Sequence, residues 1–305
     1  MPSYAFFQKK FVPLSEAKIG VMTHALHYGT AIFEGIRGNW NSKNKQIYLF
    51  RLREHYERLE KGCRVMKITL PYSVDDLCRI TVELVEKSGF QEDIYVRPLA
   101  YKSSEALGVR LHNLEDDFLV FPIPWGPYLD MEKARCAVSS WHRPADNVIP
   151  PQVKITGLYA NNALAKTEAI ENGYDEAIML SPDGHVSEGS GENIFLVTDG
   201  KLVTPASYNN ILMGITRSTV IELAQEELGV EIIERQIDRS ELYTAEECFL
   251  TGTAAHITPV AEIDQRQVGN GEVGKITKKL QVFYTDVIRG NNRKYLKWCT
   301  PVYNE

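Results

Sequence analysis

The stretch Ser187-Glu188-Gly189-Ser190-Gly191-Glu192-Asn193-Ile194-Phe195 places a glutamate among glycines at the entry to an apolar strand. Because glycine lacks a side chain, a flat ligand can approach such a segment closely. We predict a strand over 193–198, and the dipeptide Asp199-Gly200 that follows it predicts a hairpin turn. Taken alone, Glu188 is more simply interpreted as a solvated hairpin carboxylate.

A lysine with an unusual context precedes this stretch. Lys154 opens the segment Lys154-Ile155-Thr156-Gly157-Leu158-Tyr159, has Pro150-Pro151 before it, and is followed by a helical rhythm over 163–170. Most lysines are solvated surface charges. A lysine that precedes a small-residue turn and a helix is nevertheless a candidate amine for a Schiff base, provided that it is partly desolvated.

Two other segments are candidate phosphate sites. Leu212-Met213-Gly214-Ile215-Thr216-Arg217 leads into a helix predicted from about Thr216 to Leu228, with Thr216 as its N-cap. The N–H groups and the positive dipole end of a helix N-terminus bind phosphate well. The turn Thr251-Gly252-Thr253-Ala254-Ala255 could supply further N–H and hydroxyl donors. An ordinary capped helix and an ordinary turn would explain the same residues.

A lysine, an acid and a phosphate site together indicate pyridoxal 5′-phosphate (PLP). Its aldehyde needs a lysine, its ring nitrogen needs an acid, and its phosphate needs clustered N–H donors. No three-glycine dinucleotide motif and no Walker-type loop competes with this interpretation.

The bulk composition narrows the class of protein. The chain has 305 residues, 44% of them apolar, which favours two domains or one large α/β unit, and its net charge of −6 argues against a nucleic-acid surface. No apolar run reaches membrane-spanning length, and Met1-Pro2-Ser3-Tyr4 does not begin a signal peptide, so we expect a cytoplasmic protein without a membrane partner. Five widely spaced cysteines indicate buried free thiols, and we expect no metal site.

The pattern of apolar residues predicts an α/β (α+β) fold in two domains. Helices are predicted over 51–66 and from an N-cap at Ser73 to about Gly89. Three prolines and a glycine within 121–128 predict an end to regular structure there. We therefore expect a small N-terminal domain over 1–123, a Pro-rich connection over 124–133, and a larger PLP-binding domain over 134–305.

The chain resembles a known family, the PLP-dependent fold-type IV aminotransferases, and most closely the branched-chain amino acid aminotransferases. The resemblance runs from Val21 to about Thr258. Besides the segments around Lys154, Glu188, Gly214-Ile215-Thr216-Arg217 and 251–255, the matching stretches are His24-Ala25-Leu26-His27-Tyr28-Gly29-Thr30-Ala31-Ile32-Phe33-Glu34-Gly35-Ile36-Arg37, Glu54-His55-Tyr56-Glu57-Arg58-Leu59, Tyr95-Val96-Arg97-Pro98-Leu99 and Trp125-Gly126-Pro127-Tyr128.

The resemblance implies roles around the cofactor. Lys154 would form the Schiff base with PLP and would then move the proton between the substrate Cα and the cofactor as general base and acid. Tyr159 would hydrogen-bond the ring hydroxyl, and Glu188 the ring nitrogen. The remaining cofactor-binding residues would be Arg58, Ile215, Thr216, Gly252 and Thr253.

The resemblance also implies a substrate site for branched-chain L-amino acids, L-glutamate and their 2-oxo acids. Tyr95 and the backbone at Thr253 and Ala254 would receive the α-carboxylate, and Arg97 the distal carboxylate of glutamate. The apolar pocket would be formed by Tyr28, Phe33 and Tyr128, with Gly35 leaving room for a branched chain. Family members are homodimers or higher oligomers whose loop near Leu107-Gly108-Val109 reaches the neighbouring active site.

Other functions of the same fold remain open at this stage. A D-amino acid or (R)-amine aminotransferase, or an aminodeoxychorismate lyase, would keep Lys154 and Glu188 and would differ around the carboxylate. A PLP-binding module without turnover is a further alternative. The chain departs from the family at Leu158, Met213 and His256, and these departures bear on cofactor affinity and substrate range.

Overall fold

The computed structural model describes residues 3–126 and 133–303, which cluster into two compact units. The first unit takes in the described residues up to Gly126, Val153–Gly157 and the chain from Asp286 onward. The second comprises the described residues from Lys133 to Gln152 and Leu158–Thr285. Within these described ranges, no helix combines the length and the apolar character needed to cross a membrane.

An antiparallel sheet of eight strands forms the centre of the first unit. Its strands are β1 (Tyr4–Phe7), β2 (Lys10–Pro13), β3 (Ala31–Phe33), β4 (Ile36–Asn41), β5 (Gln46–Phe50), β6 (Ile94–Lys102), β7 (Asp116–Pro124) and β17 (Cys299–Pro301). Their order is β17-β5-β4-β6-β7-β1-β2, and β3 pairs with β6. The unit also contains the helices α1 (His24–Tyr28), α2 (Leu52–Val65) and α3 (Val74–Ser88).

A mixed sheet of nine strands forms the second unit. Its strands are β8 (Ala134–Val138), β9 (Glu176–Leu180), β10 (Val186–Gly189), β11 (Asn193–Thr198), β12 (Lys201–Thr204), β13 (Ile232–Glu234), β14 (Glu247–Gly252), β15 (His256–Ile263) and β16 (Arg266–Gln267). Their order is β10-β9-β8-β15-β14-β11-β12-β13, with β16 paired to β15. The helices are α4 (Tyr159–Glu171), α5 (Ile215–Leu228) and α6 (Lys275–Ile288), which begins in this unit.

The strand predicted after the glycine-rich stretch is confirmed as β11. Ile194 to Val197 are all at most 1% exposed, and the ring of Phe195 stacks on Phe249 of β14 at 5.1 Å. A strand buried on both faces has apolar residues at consecutive positions instead of alternating ones. Asp199 and Gly200 form the hairpin turn to β12 with φ values of 52° and 69°, as their residue types predict.

Both helices predicted in the first half of the chain are confirmed. The α2 face formed by Leu52, Tyr56, Leu59 and Cys63 is buried. At α3, the Ser73 side chain accepts from the Asp76 backbone N–H and the Asp76 side chain accepts from the Ser73 backbone N–H, which makes a capping box. Gly89 ends α3 with φ at 66°, a conformation that costs glycine little.

Three details differ from the sequence prediction. The strand predicted over 118–123 is β7, which extends over 116–124. Its pairing with β1 is at Val120, before Pro122 and Pro124, so the missing N–H groups interrupt no bond to β1. The apolar run over 31–36 belongs to two strands, β3 and β4, which pair with β6 in the same register, and between them the Glu34 N–H donates to the Pro98 carbonyl of β6. Helix α5 begins at Ile215 with Gly214 as N-cap, so Thr216 is its second residue and not its cap.

The two units also divide the chain differently from the predicted domain boundaries. Val153–Gly157 belongs to the first unit because the Phe33 N–H donates to the Lys154 carbonyl and the Gly157 N–H donates to the Gly29 carbonyl. The C-terminal segment belongs there as well, because β17 pairs with β5. The predicted connection over 124–133 lies mostly outside the described residues.

Candidate active site

Lys154 is held against β3 in the first unit. Its carbonyl accepts the Phe33 N–H at 3.1 Å, and the Thr156 hydroxyl donates to the Gly29 carbonyl at 2.9 Å. Gly29 has φ at 61°, and a Cβ there would lie 2.5 Å from the Gly157 Cα, so only glycine permits this approach. The Lys154 side chain is half-buried, with Nζ 5.0 Å from the Phe33 ring centroid.

Three residues predicted to contact substrate gather near this lysine. Tyr95 and Arg97 alternate along β6 and therefore share one face of the strand. The Arg97 guanidinium lies 4.8 Å from the Phe33 ring centroid, and its Nη2 donates to the Tyr95 hydroxyl at 3.3 Å. The Nε of Arg97 is buried and has no hydrogen-bond partner among the described residues.

The space beside Gly35 is occupied by the side chain of Tyr95. A Cβ at this position would lie 1.8 Å from the Tyr95 hydroxyl oxygen, so any larger residue would displace Tyr95. Tyr28, at the end of α1, accepts the Gly108 N–H on its hydroxyl at 2.9 Å, which ties it to the loop that contains Gly108. The fourth residue predicted for the apolar pocket, Tyr128, lies outside the described residues.

Arg58 is oriented by a buried carboxylate that sequence reasoning missed. Its Nε donates to Glu34 Oε1 at 2.7 Å and its Nη2 to Glu34 Oε2 at 2.8 Å, and His55 Nδ1 lies 2.7 Å from the same Oε2. Burial alone would raise the pKa of Glu34, but the charge and hydrogen bonds of Arg58, helped by His55, hold it well below its usual range. Glu34 is therefore a carboxylate that fixes the guanidinium.

The same cluster extends to Lys154. Burial lowers the pKa of His55, the hydrogen bond and charge of Glu34 oppose this, and the positive charges of Arg58 and Lys154 lower it further. The sequence carried a signal for this cluster, because Glu34 is a charged residue inside an apolar run and such a residue needs a buried partner.

Glu188 lies on the second unit's edge strand β10 and is 5% exposed. Its Oε1 lies 3.0 Å from Arg143 Nη2, and its Oε2 accepts from Asn193 Nδ2 at 2.9 Å and from the Leu212 N–H at 3.0 Å. It is thus a buried, ion-paired acid and not the solvated hairpin carboxylate of the simpler interpretation. Arg143, which is fully buried, was not predicted, and no local pattern marks it.

Asn193 links Glu188 to the predicted phosphate segments. Its Nδ2 also donates to the Leu212 carbonyl at 2.8 Å, and a Cβ at Gly214 would lie 2.0 Å from its Oδ1. Directly across the sheet it pairs with Thr251, which precedes the turn over 252–254. The acid, the start of α5 and the turn after β14 are therefore neighbours within this unit.

The N-terminus of α5 has no side-chain cap. Gly214, its N-cap, makes no side-chain cap hydrogen bond, and the Thr216 hydroxyl lies 3.5 Å from that of Tyr284. The Thr251 hydroxyl is buried without a hydrogen-bond partner among the described residues. Tyr159 begins α4 and is half-buried.

Comparison with known proteins identifies the family. The model of the family "Amino-transferase class IV" matches residues 31–263. The chain belongs to the class IV aminotransferases. This membership confirms both the aminotransferase activity and the fold-type IV architecture predicted from the sequence.

Three proteins similar to this chain are named as branched-chain aminotransferases. A probable branched-chain-amino-acid aminotransferase of Aquifex aeolicus is 52% identical over 303 residues, which is 99% of this chain and 97% of the relative. The structure of a Thermoproteus uzoniensis branched-chain aminotransferase with norvaline has a TM-score of 0.95 at 43% identity and covers 99% of this chain and 100% of that one. The PLP-form of a Thermobaculum terrenum branched-chain amino acid aminotransferase has a TM-score of 0.95 at 38% identity, with 99% of each chain covered.

Proposed function

We propose that this class IV aminotransferase uses PLP to move an amino group between branched-chain L-amino acids and 2-oxoglutarate. One observation carries the proposal: the Phe33 ring has the Lys154 ammonium at 5.0 Å and the Arg97 guanidinium at 4.8 Å. A site that accepts leucine and glutamate in turn needs an apolar wall and a cation for the second carboxylate, which is costly to desolvate unless it is paired.

The donor groups of the second unit fit PLP. The N-terminus of α5 has no side-chain cap, and the Thr251 hydroxyl is a buried polar group without a partner among the described residues. These groups suit a phosphate, and Glu188 beside Asn193 suits the protonated ring nitrogen. When bound, PLP supplies an electron sink for the charge that develops at the substrate Cα.

Each of the chain's own residues near the cofactor would then have a separate role. Lys154 would bind the cofactor aldehyde and would move a proton between the substrate Cα and the cofactor as general base and acid. Glu188, charged because Arg143 pairs with it, would keep the ring nitrogen protonated. Tyr159 would hydrogen-bond the ring hydroxyl, and Arg58 would join Ile215, Thr216, Gly252 and Thr253 in holding the phosphate.

Substrate binding would use the groups around Phe33. Tyr95 and the backbone at Thr253 and Ala254 would receive the α-carboxylate, and Tyr28 and Phe33 would contact the aliphatic side chain. Full burial of such a side chain contributes roughly 1.5–3 kcal/mol. Arg97, whose Nε has no partner among the described residues, would receive the distal carboxylate of glutamate.

The test is a visible absorption spectrum of the PLP-loaded protein, titrated with L-leucine, then D-alanine, then an (R)-amine. We expect L-leucine alone to remove the band of the lysine-bound cofactor and 2-oxoglutarate to restore it. A response only to D-alanine or the (R)-amine would keep the cofactor and overturn the substrate. No response to any amine would indicate a binding module without turnover, and full activity in Lys154→Ala would overturn the role of Lys154.

The role of Arg97 has its own test. Arg97→Ala should lower kcat/KM for L-glutamate and 2-oxoglutarate more than for L-leucine, because only the first two carry a second carboxylate. Arg64→Ala is a suitable control, since Arg64 pairs with Glu60 on the exposed face of α2. Equal losses on leucine and glutamate would contradict the role in dual recognition.

We also infer that the chain assembles with a second copy of itself. Val21 and Leu26 are 80% and 60% exposed, and Leu107 and Val109 are 55% and 92% exposed. They are neighbours, because His24, between the first two, contacts the Gly108 carbonyl at 2.9 Å. Light scattering after size exclusion should give at least twice the mass of one chain, and Val109→Glu should reduce it; a monomeric parent protein would refute the inference.

A further inference from the structure

Two buried glutamates share a site beneath the glycine-rich turn of the second unit. Glu176, the first residue of β9, is fully buried, and Glu192, just before β11, is 4% exposed. Their side chains are hydrogen-bonded to each other. Two carboxylates in hydrogen-bond contact cannot both carry a charge without strong repulsion, so the pair must hold a proton.

The surroundings decide which glutamate keeps the proton. Glu176 is the member next to a cation: its Oε2 accepts from Lys166 Nζ at 2.6 Å and its Oε1 from the Ala177 N–H at 2.8 Å. Glu192 accepts one N–H, that of Gly191 at 3.0 Å. Burial and then the charge of Glu176 raise the pKa of Glu192 to about 8. At neutral pH Glu192 is therefore the neutral acid that donates to Glu176.

Other ionisable groups near the pair do not reverse this assignment. Lys166 faces it from α4, and Asp175, next to Glu176, lies 3.8 Å from Arg135 Nε. Cys136 faces it from β8, and burial raises the pKa of that thiol well above its usual value, so it stays neutral. From β14 the neighbour is Gly252, which has no charge.

Glu192 also shapes the turn that follows Glu188. Besides the bond to the Gly191 N–H, its carbonyl accepts the Gly189 N–H at 2.7 Å. A Cβ at Gly189 would lie 2.9 Å from Glu192 Oε2, so the acid packs directly against the turn.

On its other side, the turn is connected to Glu188 through the side chains of Asn162 and Arg143. The Ser190 carbonyl accepts from Asn162 Nδ2 at 2.6 Å, and the Asn162 Oδ1 accepts from Arg143 Nη1 at 2.8 Å. Arg143 Nη2 in turn lies 3.0 Å from Glu188 Oε1. The turn is thus fixed by Glu192 on one side and by the partner of Glu188 on the other.

We propose that Glu192 is a positioning residue: as a neutral acid hydrogen-bonded to Glu176, it fixes the turn over 189–191 and through it the carboxylate of Glu188. Only the last consequence, a correctly placed acid for the cofactor ring, rests on the proposed function. Loss of the Glu192 proton would put a second negative charge beside Glu176 and weaken the turn.

The proton on Glu192 makes stability depend on pH in a defined direction. The folded protein keeps this proton up to a pH of about 8, whereas the unfolded chain releases it near 4.5. Between these values the unfolded chain binds fewer protons, so the contribution of Glu192 to stability falls as pH rises and is level above about 8.

The test compares Glu192→Gln, Glu192→Ala and a control, Glu231→Gln, in the full PLP-loaded chain. Gln keeps the shape and the donor of the neutral acid, and Glu231 is an exposed partner of Lys201 in the same unit. Infrared spectra at pH 7 should show a protonated-carboxyl band that is lost in Glu192→Gln and kept in the control. The fall of Tm between pH 6 and 8 should be smaller in Glu192→Gln than in the parent protein.

Cofactor affinity gives the second readout. Glu192→Gln should bind PLP within threefold of the parent protein, and Glu192→Ala should bind it at least tenfold more weakly. An unchanged infrared band and an unchanged Tm slope in Glu192→Gln would overturn the proposal, as would a tenfold loss of PLP affinity in that variant. A failed response to L-leucine with these readouts intact would instead count against the proposed function.

Discussion

The substitution Glu34→Gln tests whether Arg58 is oriented by a balanced buried ion pair. The Glu34 side chain is 1% exposed and Arg58 is 17% exposed, so neither charge is well solvated. Removing one partner of a buried pair leaves the other uncompensated and costs about 3–5 kcal/mol. With an unfolding entropy of roughly 2.1 cal/mol/K per residue, this corresponds to a Tm lower by about 5–8 °C for a chain of this length.

A matched control lies on the same helix. Glu60 pairs with Arg64 at 3.2 Å, but these side chains are 52% and 74% exposed. Exposed pairs contribute about 0–1 kcal/mol, so Glu60→Gln should shift Tm by less than about 2 °C. Calorimetry of the parent protein and both variants at one protein concentration gives the comparison. Equal shifts in the two variants would refute the buried-pair reasoning.

The pH dependence of the Glu34 effect has a fixed sign. Arg58 and His55 hold the pKa of Glu34 below its ordinary value of 4.5, although burial opposes this. Such a carboxylate stabilises the folded state fully above its unfolded pKa and loses that contribution as pH falls through the folded one. The Tm difference between the parent protein and Glu34→Gln should therefore be level above pH ~6 and should shrink below pH ~4.5.

Three further predictions use single contacts. Gly35→Ala puts a Cβ 1.8 Å from the Tyr95 hydroxyl, and overpacking by about 1–3 kcal/mol should lower kcat/KM about 5- to 150-fold. Gly214→Ala puts a Cβ 2.0 Å from Asn193 Oδ1 and should weaken PLP binding by a similar factor in equilibrium dialysis. Gly126→Ala, whose Cβ meets nothing within 4 Å, is the control for both, and equal effects in the control would contradict them. Ser73→Ala removes the α3 cap, costs about 1 kcal/mol and should lower Tm by roughly 1–2 °C in calorimetry; no change would show that the cap is dispensable.

Elements fixed by local chemistry were predictable from the sequence. The N-cap Ser73 and the final Gly89 determine α3 without reference to the rest of the chain. The same holds for the Asp199-Gly200 turn, where both residues need positive φ. Strand β7 runs one residue past its predicted end at Ile123, because whether Pro124 is permitted depends on which strand lies beside it, and the sequence does not contain that information.

The sequence was sufficient to name candidate site residues, but not the residues that pair with them and hold them in place. Lys154, Glu188, Tyr95 and Arg97 were named from motifs and resemblance, and their roles remain predictions. The residues that hold them in place come from distant parts of the chain: Arg143, which pairs with Glu188, precedes the whole Lys154 segment. A supporting contact of this kind leaves no local pattern, since any buried arginine satisfies it once the fold has brought it near.

The three buried glutamates show why the fold is needed to assign chemistry. Glu34 faces Arg58, and Glu188 faces Arg143, so each has a guanidinium that favours the charged form. Glu192 faces another carboxyl group, Glu176, whose cation is already Lys166, and there the neutral form is favoured. Glu188 and Glu192 stand in one glycine-rich stretch, yet the neighbours of Glu188 favour its charged form and those of Glu192 favour its neutral form.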